Sequence, residues 1–519
     1  MRPLPAGAAA RLAAVAADPC GVPLPVFNSL LSSLAASSDP SHAHLPLHLF
    51  RRRLLPRRRP DAFTLSALAS SPSPLHPAAL HALALRLGLL HADPVLANAL
   101  LRLYLRPPGR RPDLARRLFD EMPARTAASY NTLISHSPPA TGAAEGVWGL
   151  VRRMVADGCA PDRFTVSAVL PAVMPGCVRR GRELHCYAAR AGMCGADDFH
   201  VSSGLVSMYC RVGRPDLAQR VLDQMERRNV VSWTVMVGGY VENRMLEDAV
   251  EAFRAMWATD NVRPNRIALI SVLSAVEALS GTMEGKQVHG FALRMGMYGE
   301  VSLNNALIDT YAKCGALHYA RQIFYDDSWC KDVISWGAMI LGYGIHGMGA
   351  EAVDLFEQML FSGVKPDGIV GLGVLSACCR AGMVLKGLDM YSSMVKDHGV
   401  HPTEEMCACM VDLLGRSGHL DHAVEFIKSM NVEAGPSVWG ALLDASVIHG
   451  NKEIQDFASR SILRLEERKP SDLVAVSNLN ASSGRWSIVE QVRTRINQGS
   501  LKKKSGCSWV NPTLVKNGF

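Results

Sequence analysis

Apolar side chains recur along this chain at intervals of three and four residues, the spacing that places them on one face of an α-helix. In one representative stretch, a first stripe runs from Trp233 to Tyr240 and a second from Leu246 to Met256. Glycine or asparagine separates the stripes. Pro264 ends the second one, because proline has no amide hydrogen and disfavours helix in the residue before it. The pattern predicts pairs of short antiparallel helices.

Three kinds of similar segment alternate along the chain. The first kind comprises SYNTLISHS, SWTVMVGGY and SWGAMILGY, which begin at Ser129, Ser232 and Ser335 and so lie 103 residues apart. The second comprises PDRFTVSAVLPA, PNRIALISVLSA and PDGIVGLGVLSA, beginning at Pro161, Pro264 and Pro366. The third comprises YLRPPGRRPDLARRLFDEM, YCRVGRPDLAQRVLDQM and YAKCGALHYARQIF, beginning at Tyr104, Tyr209 and Tyr311. Self-similarity at such a period is typical of a solenoid whose units bury their apolar faces only by stacking.

These segments resemble the pentatricopeptide repeats of plant proteins, in the class that alternates longer and shorter motifs. The resemblance covers roughly residues 24–510 and implies an all-α, right-handed superhelical solenoid of helix-turn-helix repeats. Residues 24–435 form an array of about 12 motifs, bounded at 24–61 (degenerate), 62–93, 94–126, 127–162, 163–198, 199–229, 230–265, 266–300, 301–332, 333–367, 368–403 and 404–435.

Residues 436–510 resemble the family's two-part E extension, and residues 511–519 form a tail. The signatures are PSVWGALLDASVIHGN from Pro436, SGRW ending at Trp486 and GCSW from Gly506. The second part departs from the family pattern at Leu473, Asn480 and Ser505, which leaves its competence to bind a partner open.

Composition excludes several functional classes. The chain has 519 residues, too many for one compact core, with 48% apolar and 20% charged residues and a formal net charge of +8. No run of about 18 uninterrupted apolar residues is present. The thirteen cysteines include no C-x-x-C pair, and no H-x-E occurs. Those motifs form the zinc site of the cytidine deaminases that end some family members. We therefore expect no metal, no cofactor and no catalytic residue.

The amino-terminal segment, residues 1–23, contains Arg2 and Arg11, many alanines and few acids. This composition is typical of an organellar transit peptide, although an alanine-rich frayed terminus would look the same. Serine is missing from the first seventeen residues, which favours the mitochondrion over the chloroplast.

The resemblance implies which residues contact RNA. In the family, the fifth and last residues of a motif select one base, and the second residue sandwiches bases. The base-selecting pairs carried over are Asn28 with Asp61, Asn98 with Thr126, Asn131 with Asp162, Ser203 with Asn229, Thr234 with Asn265, and Asn305 with Asp332. The base-sandwiching residues are Val95, Val231 and Ile334. Helix capping is the alternative role for each polar residue, since Asn, Asp, Ser and Thr are favoured N-caps.

Four basic residues are candidates for neutralising phosphates along a groove: Lys286, Arg294, Lys313 and Arg321. Solvated helix faces are the alternative for these side chains.

The function implied is sequence-specific binding of single-stranded RNA in an organelle, most simply site recognition for C-to-U editing. A deaminase-bearing repeat protein or an editing accessory factor would then be recruited in trans. RNA splicing, transcript stabilisation and a protein-binding scaffold are the alternatives. The resemblance further assigns Asn with Asp to uracil, and Ser or Thr with Asn to adenine.

Overall fold

The computed structural model describes residues 23–35, 45–51, 59–71, 77–90, 93–107, 109–137, 146–195, 199–430, 432–465, 470–482 and 484–498. The chain divides into two compact units, residues 1–264 and residues 265–519. The amino-terminal residues 1–22, the arginine-rich residues 52–58 and the tail from residue 499 onward, with Lys502–Lys504, lie outside the described residues. The predicted transit segment and the end of the E extension are therefore not part of the description that follows.

The first unit contains fourteen described α-helices. Their bounds are α1 (Leu24–Ala35), α2 (Leu45–Leu49), α3 (Ala62–Ser70), α4 (Pro77–Arg86), α5 (Pro94–Leu105), α6 (Pro112–Glu121), α7 (Ala127–His136), α8 (Val147–Ala156), α9 (Arg163–Val169), α10 (Val178–Arg190), α11 (Phe199–Arg211), α12 (Pro215–Gln224), α13 (Val230–Glu242) and α14 (Leu246–Ala258). A single 3₁₀ turn, Leu170–Ala172, extends α9.

The second unit contains another fourteen described helices. Their bounds are α15 (Arg266–Ala278), α16 (Thr282–Arg294), α17 (Val301–Lys313), α18 (Leu317–Phe324), α19 (Val333–Ile345), α20 (Gly349–Phe361), α21 (Gly368–Ala381), α22 (Val384–Lys396), α23 (Glu404–Arg416), α24 (Leu420–Ser429), α25 (Pro436–Ile448), α26 (Lys452–Arg464), α27 (Pro470–Ser482) and α28 (Trp486–Gln498). The described residues contain no β-strand, so the predicted all-α class is confirmed.

Helices alternate between two layers within each unit. Every odd-numbered helix is the first of a hairpin and every even-numbered helix the second. In the first unit, consecutive odd helices pack against each other from α1 to α13, and in the second unit from α15 to α25. An even helix packs on the odd helix of its own hairpin and, at most junctions, on the next odd helix. The odd helices therefore form the continuous inner layer of the stack in each unit.

Side-chain caps distinguish most odd helices from most even helices. Five odd helices begin with a capping box, in which the N-cap side chain accepts from the third residue's amide and that residue's hydroxyl accepts in return. The N-caps are Asp61, Thr126, Asp162, Asn229 and Asp332. Even helices from α6 to α24 begin without a side-chain cap. The last residue of one motif thus starts the first helix of the next, except at α17 and α25, where Glu300 and Gly435 form no side-chain cap.

Side chains also satisfy the carbonyls at the ends of odd helices, across motif boundaries. In the first unit, Arg211 donates to the Leu170 carbonyl at 2.7 Å, and Asn243 donates to the Cys210 carbonyl at 2.8 Å. In the second unit, a ring nitrogen of His346 lies 2.8 Å from the Ala312 carbonyl. The last carbonyls of a helix have no partner within the helix, so these bonds tie one motif to its predecessor.

An aspartate after the second helix closes two hairpins of the first unit. The Tyr130 hydroxyl donates to Asp157 at 2.5 Å, and the indole N–H of Trp233 donates to Asp260 at 2.9 Å. Arg125 forms an ion pair with Asp157. Because of the hydrogen bond from Tyr130 and then that from Arg125, the pKa of Asp157 is below its ordinary value.

Neighbouring odd helices approach each other where one of them carries glycine. A Cβ at Gly239 in α13 would overlap the Cys210 side chain of α11 and lie 2.5 Å from its Cβ. Gly238, the preceding residue, has open space where its Cβ would be. Contact of the two helices therefore requires glycine at 239 but not at 238.

We expect Gly239→Ala to destabilise the first unit by about 1–3 kcal/mol, because the added methyl forces the two helices apart. The matched change Gly238→Ala should be neutral or stabilise by up to about 1 kcal/mol, since alanine has the higher helix propensity. Urea unfolding followed by circular dichroism measures both. Equal effects of the two substitutions would show that the close approach of α11 and α13 is not a constraint on stability.

Candidate nucleic-acid interface

The predicted base-selecting residues lie on and beside the odd helices. The fifth residue of a motif stands one turn into its odd helix, and the last residue is the N-cap of the next odd helix. In the second unit, the Asn305 amide nitrogen donates to Asp332 at 3.0 Å. The Ser335 hydroxyl, in the capping box that Asp332 begins, donates to the Asn305 amide oxygen at 2.6 Å. Fifth residue, last residue and third residue of the next helix thus form one hydrogen-bonded triad.

The same triad occurs twice in the first unit. Asn131 donates to Asp162 at 3.0 Å and accepts from the Thr165 hydroxyl at 2.7 Å. Asn28 donates to both oxygens of Asp61 at 3.0 Å and accepts from the Thr64 hydroxyl at 2.7 Å. Three pairs predicted from sequence register are therefore in direct contact. Sequence reasoning missed the third member, whose signal is the Ser or Thr three residues after the last residue of the motif.

The triad leaves hydrogen-bonding capacity unused. The Asn131 amide has two hydrogens and donates one of them to Asp162, while the hydrogen bonds from Asn131 and Thr165 reach the same oxygen of that carboxylate. An N–H beside a carboxylate oxygen can bind a group that has an acceptor next to a donor. The Watson–Crick edge of uracil, with a carbonyl oxygen beside an N–H, has that arrangement.

Hydrogen bonding keeps two of the triad carboxylates, Asp332 and Asp162, ionised. Burial by itself would raise the pKa of Asp332, but the Ser335 amide and hydroxyl and the Asn305 amide donate to it, and the pKa lies below its ordinary value. The same balance lowers the pKa of Asp162, with Thr165 and Asn131 as the donors. Both groups therefore carry a negative charge at neutral pH and can only accept.

The other predicted pairs are built differently. Asn98 donates to the Thr126 hydroxyl at 3.3 Å. Ser203 is 7% exposed, and its hydroxyl makes no hydrogen bond within the described part of the chain. Its partner Asn229 accepts from the Ser232 amide at 2.9 Å as an N-cap. N-capping alone therefore explains the residue type of Asn229. It does not explain a polar fifth residue such as Ser203.

The remaining pair comprises Thr234 and Asn265, one from each unit. The Thr234 hydroxyl donates to the Val230 carbonyl one turn earlier at 2.6 Å. Asn265 accepts from the Ala268 amide at 2.8 Å and thereby caps α15. Each side chain is only partly buried.

The second residues of the motifs form a series of exposed apolar side chains. The three predicted from sequence, Val95, Val231 and Ile334, are 53%, 51% and 62% exposed. Four more at the same motif position are exposed and were missed: Phe63, Phe164, Ile267 and Ile369. The signal was present in the motif boundaries, since each follows the first residue of its motif. Large apolar groups repeated in water at one position mark a binding surface.

The four predicted basic residues do not line one face. Lys286, Arg294 and Arg321 lie on even helices, whereas the predicted base-selecting residues lie on or beside odd ones. Lys286 stands over the Tyr319 ring at 4.6 Å, and Arg321 stands over the Tyr343 ring at 5.7 Å. The attraction between Lys286 and Tyr319 lies within the even layer, whereas Tyr343 belongs to the odd helix α19.

Lys313 is the one basic candidate on an odd helix, and it is already paired. Its ammonium group lies 2.9 Å from Glu277 and 2.8 Å from Asp309. The prediction of a phosphate-neutralising row therefore finds no support in these four residues, since Lys313 is paired and the other three lie on even helices.

His185, His289 and Cys378 are partly or fully buried. His185 and His289 contact the Tyr209 and Tyr311 hydroxyls at 3.0 and 3.2 Å, and burial lowers the pKa of both imidazoles. Burial also raises the pKa of the Cys378 thiol to about 11. Within the described residues no group of three or more His, Cys, Asp or Glu side chains could hold a metal ion. No described helix is both long and apolar enough to cross a membrane.

Comparison with protein families matches the same architecture. The model of the PPR repeat matches residues 202–230, 231–258, 334–364, 373–398 and 405–433. The model of the E motif matches residues 449–511.

Curated relatives are similar over most of the chain. It is 33% identical over 506 residues to the mitochondrial pentatricopeptide repeat-containing protein At3g11460 of Arabidopsis thaliana, covering 96% of this chain and 78% of that protein. It is 36% identical to CRR2, a chloroplastic pentatricopeptide repeat-containing protein of the same plant, covering 80% of this chain and 64% of that protein. Against a third relative, At3g23330, the chain covers 56% of the length. The chain thus spans between about half and two thirds of several of its curated relatives.

Solved structures share the fold. The crystal structure of the pentatricopeptide repeat protein PPR10 from maize superimposes with a TM-score of 0.54 at 18% identity, over 96% of this chain and 77% of that one. PPR10 in complex with an 18-nt psaJ RNA element superimposes with a TM-score of 0.63 at 14% identity, over 94% and 70%. Stacked hairpins with a repeated polar pair and an exposed apolar residue define a helical repeat protein. This chain belongs to the pentatricopeptide repeat family and carries an E motif.

The triad predicts a pH-dependent contribution to stability. Because the folded-state pKa of Asp332 is below its ordinary value of 3.8, ionised Asp332 stabilises the fold above that pH. The contribution is lost as pH falls through the folded pKa. We expect Asp332→Asn, which keeps a good N-cap, to lower stability by roughly 1 kcal/mol at pH 7, and we expect the difference from the parent to shrink as pH falls below 3.8.

Denaturant midpoints measured from pH 7 to pH 3 test this expectation. Asp354→Asn, an exposed charge removal on α20, is the matched control and should give a small difference at every pH. A difference between Asp332→Asn and the parent that stays constant over the whole range would contradict the role of the ionised carboxylate.

Proposed function

We propose that this protein binds single-stranded RNA in a plant organelle by placing one base at each motif junction. The observation that carries the proposal is the triad of Asn, Asp and a hydroxyl, repeated at three junctions with the same distances. A purely structural cap needs only the last residue and the amides of the next helix. The added asparagine holds a donor and an acceptor in a fixed relation at the edge of the odd layer.

The exposed apolar residues would provide a second kind of contact with RNA, namely with the faces of the bases. Phe63 and Val95 in the first unit, and Ile334 and Ile369 in the second, occupy the same position in consecutive motifs and are more than half exposed. A base held between two such side chains would be shielded on both faces, and stacking of this kind contributes about 1–3 kcal/mol per base. Base edges would then be selected by the fifth and last residues.

The proposed role of the bound protein is site recognition for C-to-U editing. The E motif at residues 449–511 and relatives that are named mitochondrial or chloroplastic support this role. PPR10, with the same fold, is seen in complex with RNA. We propose that a deaminase supplied in trans performs the chemistry. We place the protein in the mitochondrion, with the chloroplast as the alternative.

A base-exchange experiment tests the recognition. By family register, Asn305 with Asp332 faces a uracil at about position −7 from the edited cytidine, and Asn131 with Asp162 faces a uracil at about −12. Asn305→Thr combined with Asp332→Asn should change the preference at −7 from uracil to adenine. Affinity for the original RNA should fall roughly ten-fold, since one good base contact is worth about 1–3 kcal/mol.

Gel shifts on RNAs that vary one nucleotide at a time measure the exchange. The same double substitution at residues 131 and 162 is the internal control, because it should change preference at −12 and leave −7 as in the parent. If both variants bind every RNA as the parent does, the triads only cap helices and the RNA assignment fails.

A loss-of-function plant line tests the editing role separately. We expect one or a few organellar cytidines to remain unedited, with uracils at about −7 and −12 upstream. Sequencing of organellar transcripts measures this, and the parental chain reintroduced into the line should restore editing. Normal editing accompanied by unspliced or shortened transcripts would replace editing with splicing or stabilisation.

A further inference from the structure

An open groove of about 650 Å³ lies between two even helices of the second unit, α24 and α26. Its floor is apolar and is formed by Val424, Ile454 and Phe457. The Phe457 ring remains 37% exposed and is held at one edge by Trp439, with ring centroids 5.4 Å apart. Phe457 is the exposed part of this floor, since Ile454 is only 9% exposed.

Three carboxylates surround the floor. Asp421 and Glu425 come from α24, and Glu453 comes from the first turn of α26. All three are exposed, and within the described residues none of them forms an ion pair or a hydrogen bond. One cation, Lys428, also lines the groove. The groove therefore has a net negative charge of two, from three acidic and one basic residue, around an apolar centre.

The repeats themselves show that this surface is specialised. Val424 and Glu425 directly follow the recurrent alanine Ala423 of the short motif. In the three earlier short motifs the same two positions carry Arg116 and Arg117, Gln219 and Arg220, and Arg321 and Gln322. The common repeat thus has a basic or neutral polar pair here, whereas the last repeat has an apolar and an acidic residue.

The other wall of the groove, formed by α26, also differs from the earlier repeats. At the 103-residue spacing of the chain, Phe457 corresponds to Glu251 and Asp354, which are charged, and further back to Trp148. An exposed aromatic ring thus replaces the solvated carboxylate of the two preceding counterparts. The two helices that line the groove, α24 and α26, thus both differ from earlier repeats at residues that face it.

We propose that this groove is the docking site for a segment of a partner protein that places apolar side chains between flanking lysines or arginines. Charge complementarity selects that partner: the unpaired carboxylates repel the phosphates of RNA and attract a basic chain. The groove lies on the even layer, whereas the base-selecting residues lie on the odd layer. A partner seated there would leave the proposed RNA surface open. The inference does not rest on RNA binding.

A titration with defined peptides tests the proposal on the full chain, purified without RNA. The probe is a fluorescent amphipathic peptide of about 14 residues, made of lysine and leucine, with one apolar helical face. Its counterpart has glutamate in place of every lysine. We expect one basic peptide to bind per chain at physiological salt, and the acidic peptide not to bind.

The test variants restore the residues of an earlier repeat, so that folding is preserved. Val424→Arg combined with Glu425→Gln, as in the motif of residues 301–332, and separately Phe457→Asp, should each weaken binding at least roughly ten-fold. The control, Glu351→Gln with Asp354→Gln, removes two exposed charges from α20 and should leave binding unchanged. Equal binding by the parent and both groove variants, or loss of binding in the control, would overturn the proposal.

Two further outcomes would assign the groove to a different occupant. A parent that sediments as a dimer, with Val424→Arg and Glu425→Gln giving a monomer, would assign the groove to a second copy of this chain. A triple change of Lys502, Lys503 and Lys504 to Gln that tightens peptide binding roughly ten-fold would assign it to the chain's own tail. Failure of the peptide titration leaves the RNA proposal standing, because no RNA enters the experiment.

Discussion

The interaction on which the rest of this structure depends is the capping of nine described odd helices by the last residue of the motif before each of them. A helix begins with amides that have no partner inside the helix, and an Asp, Asn or Thr at the N-cap satisfies them. Here the capping residue belongs to one motif and the helix to the next. Where an asparagine from the preceding odd helix joins the cap, as Asn305 joins Asp332, the start of one helix is fixed by the body of its neighbour.

Much of the fold could be predicted from sequence because its signals are local. Apolar stripes, proline at the end of a hairpin and Asp or Asn before the next stripe lie within a few residues of one another. The pairs Asn131 with Asp162 and Asn305 with Asp332 could also be predicted, since motif register alone brings them together.

The failures have a common physical cause. Lys313 was predicted to face phosphates, but Glu277 on the preceding odd helix neutralises it, a contact between residues of different motifs. The exposed row that includes Phe164 and Ile369 was only partly recognised, because exposure depends on stacking. The groove at Phe457 likewise depends on how α24 and α26 face each other. The sequence of a single motif could not show these features, because ion pairing, exposure and the groove all depend on contacts between motifs.

The capping of odd helices has a consequence for how binding preference could change during evolution. The residues that make good N-caps are few: Asp, Asn, Ser, Thr and, less well, Gly. Asp162, Asn229 and Thr126 all occupy this position and all start a helix. Exchange among them preserves the helix start while it alters charge and hydrogen-bond donors at the surface. A descendant of this protein could therefore acquire a new preference at one junction by a single substitution, with the neighbouring hairpins still in place.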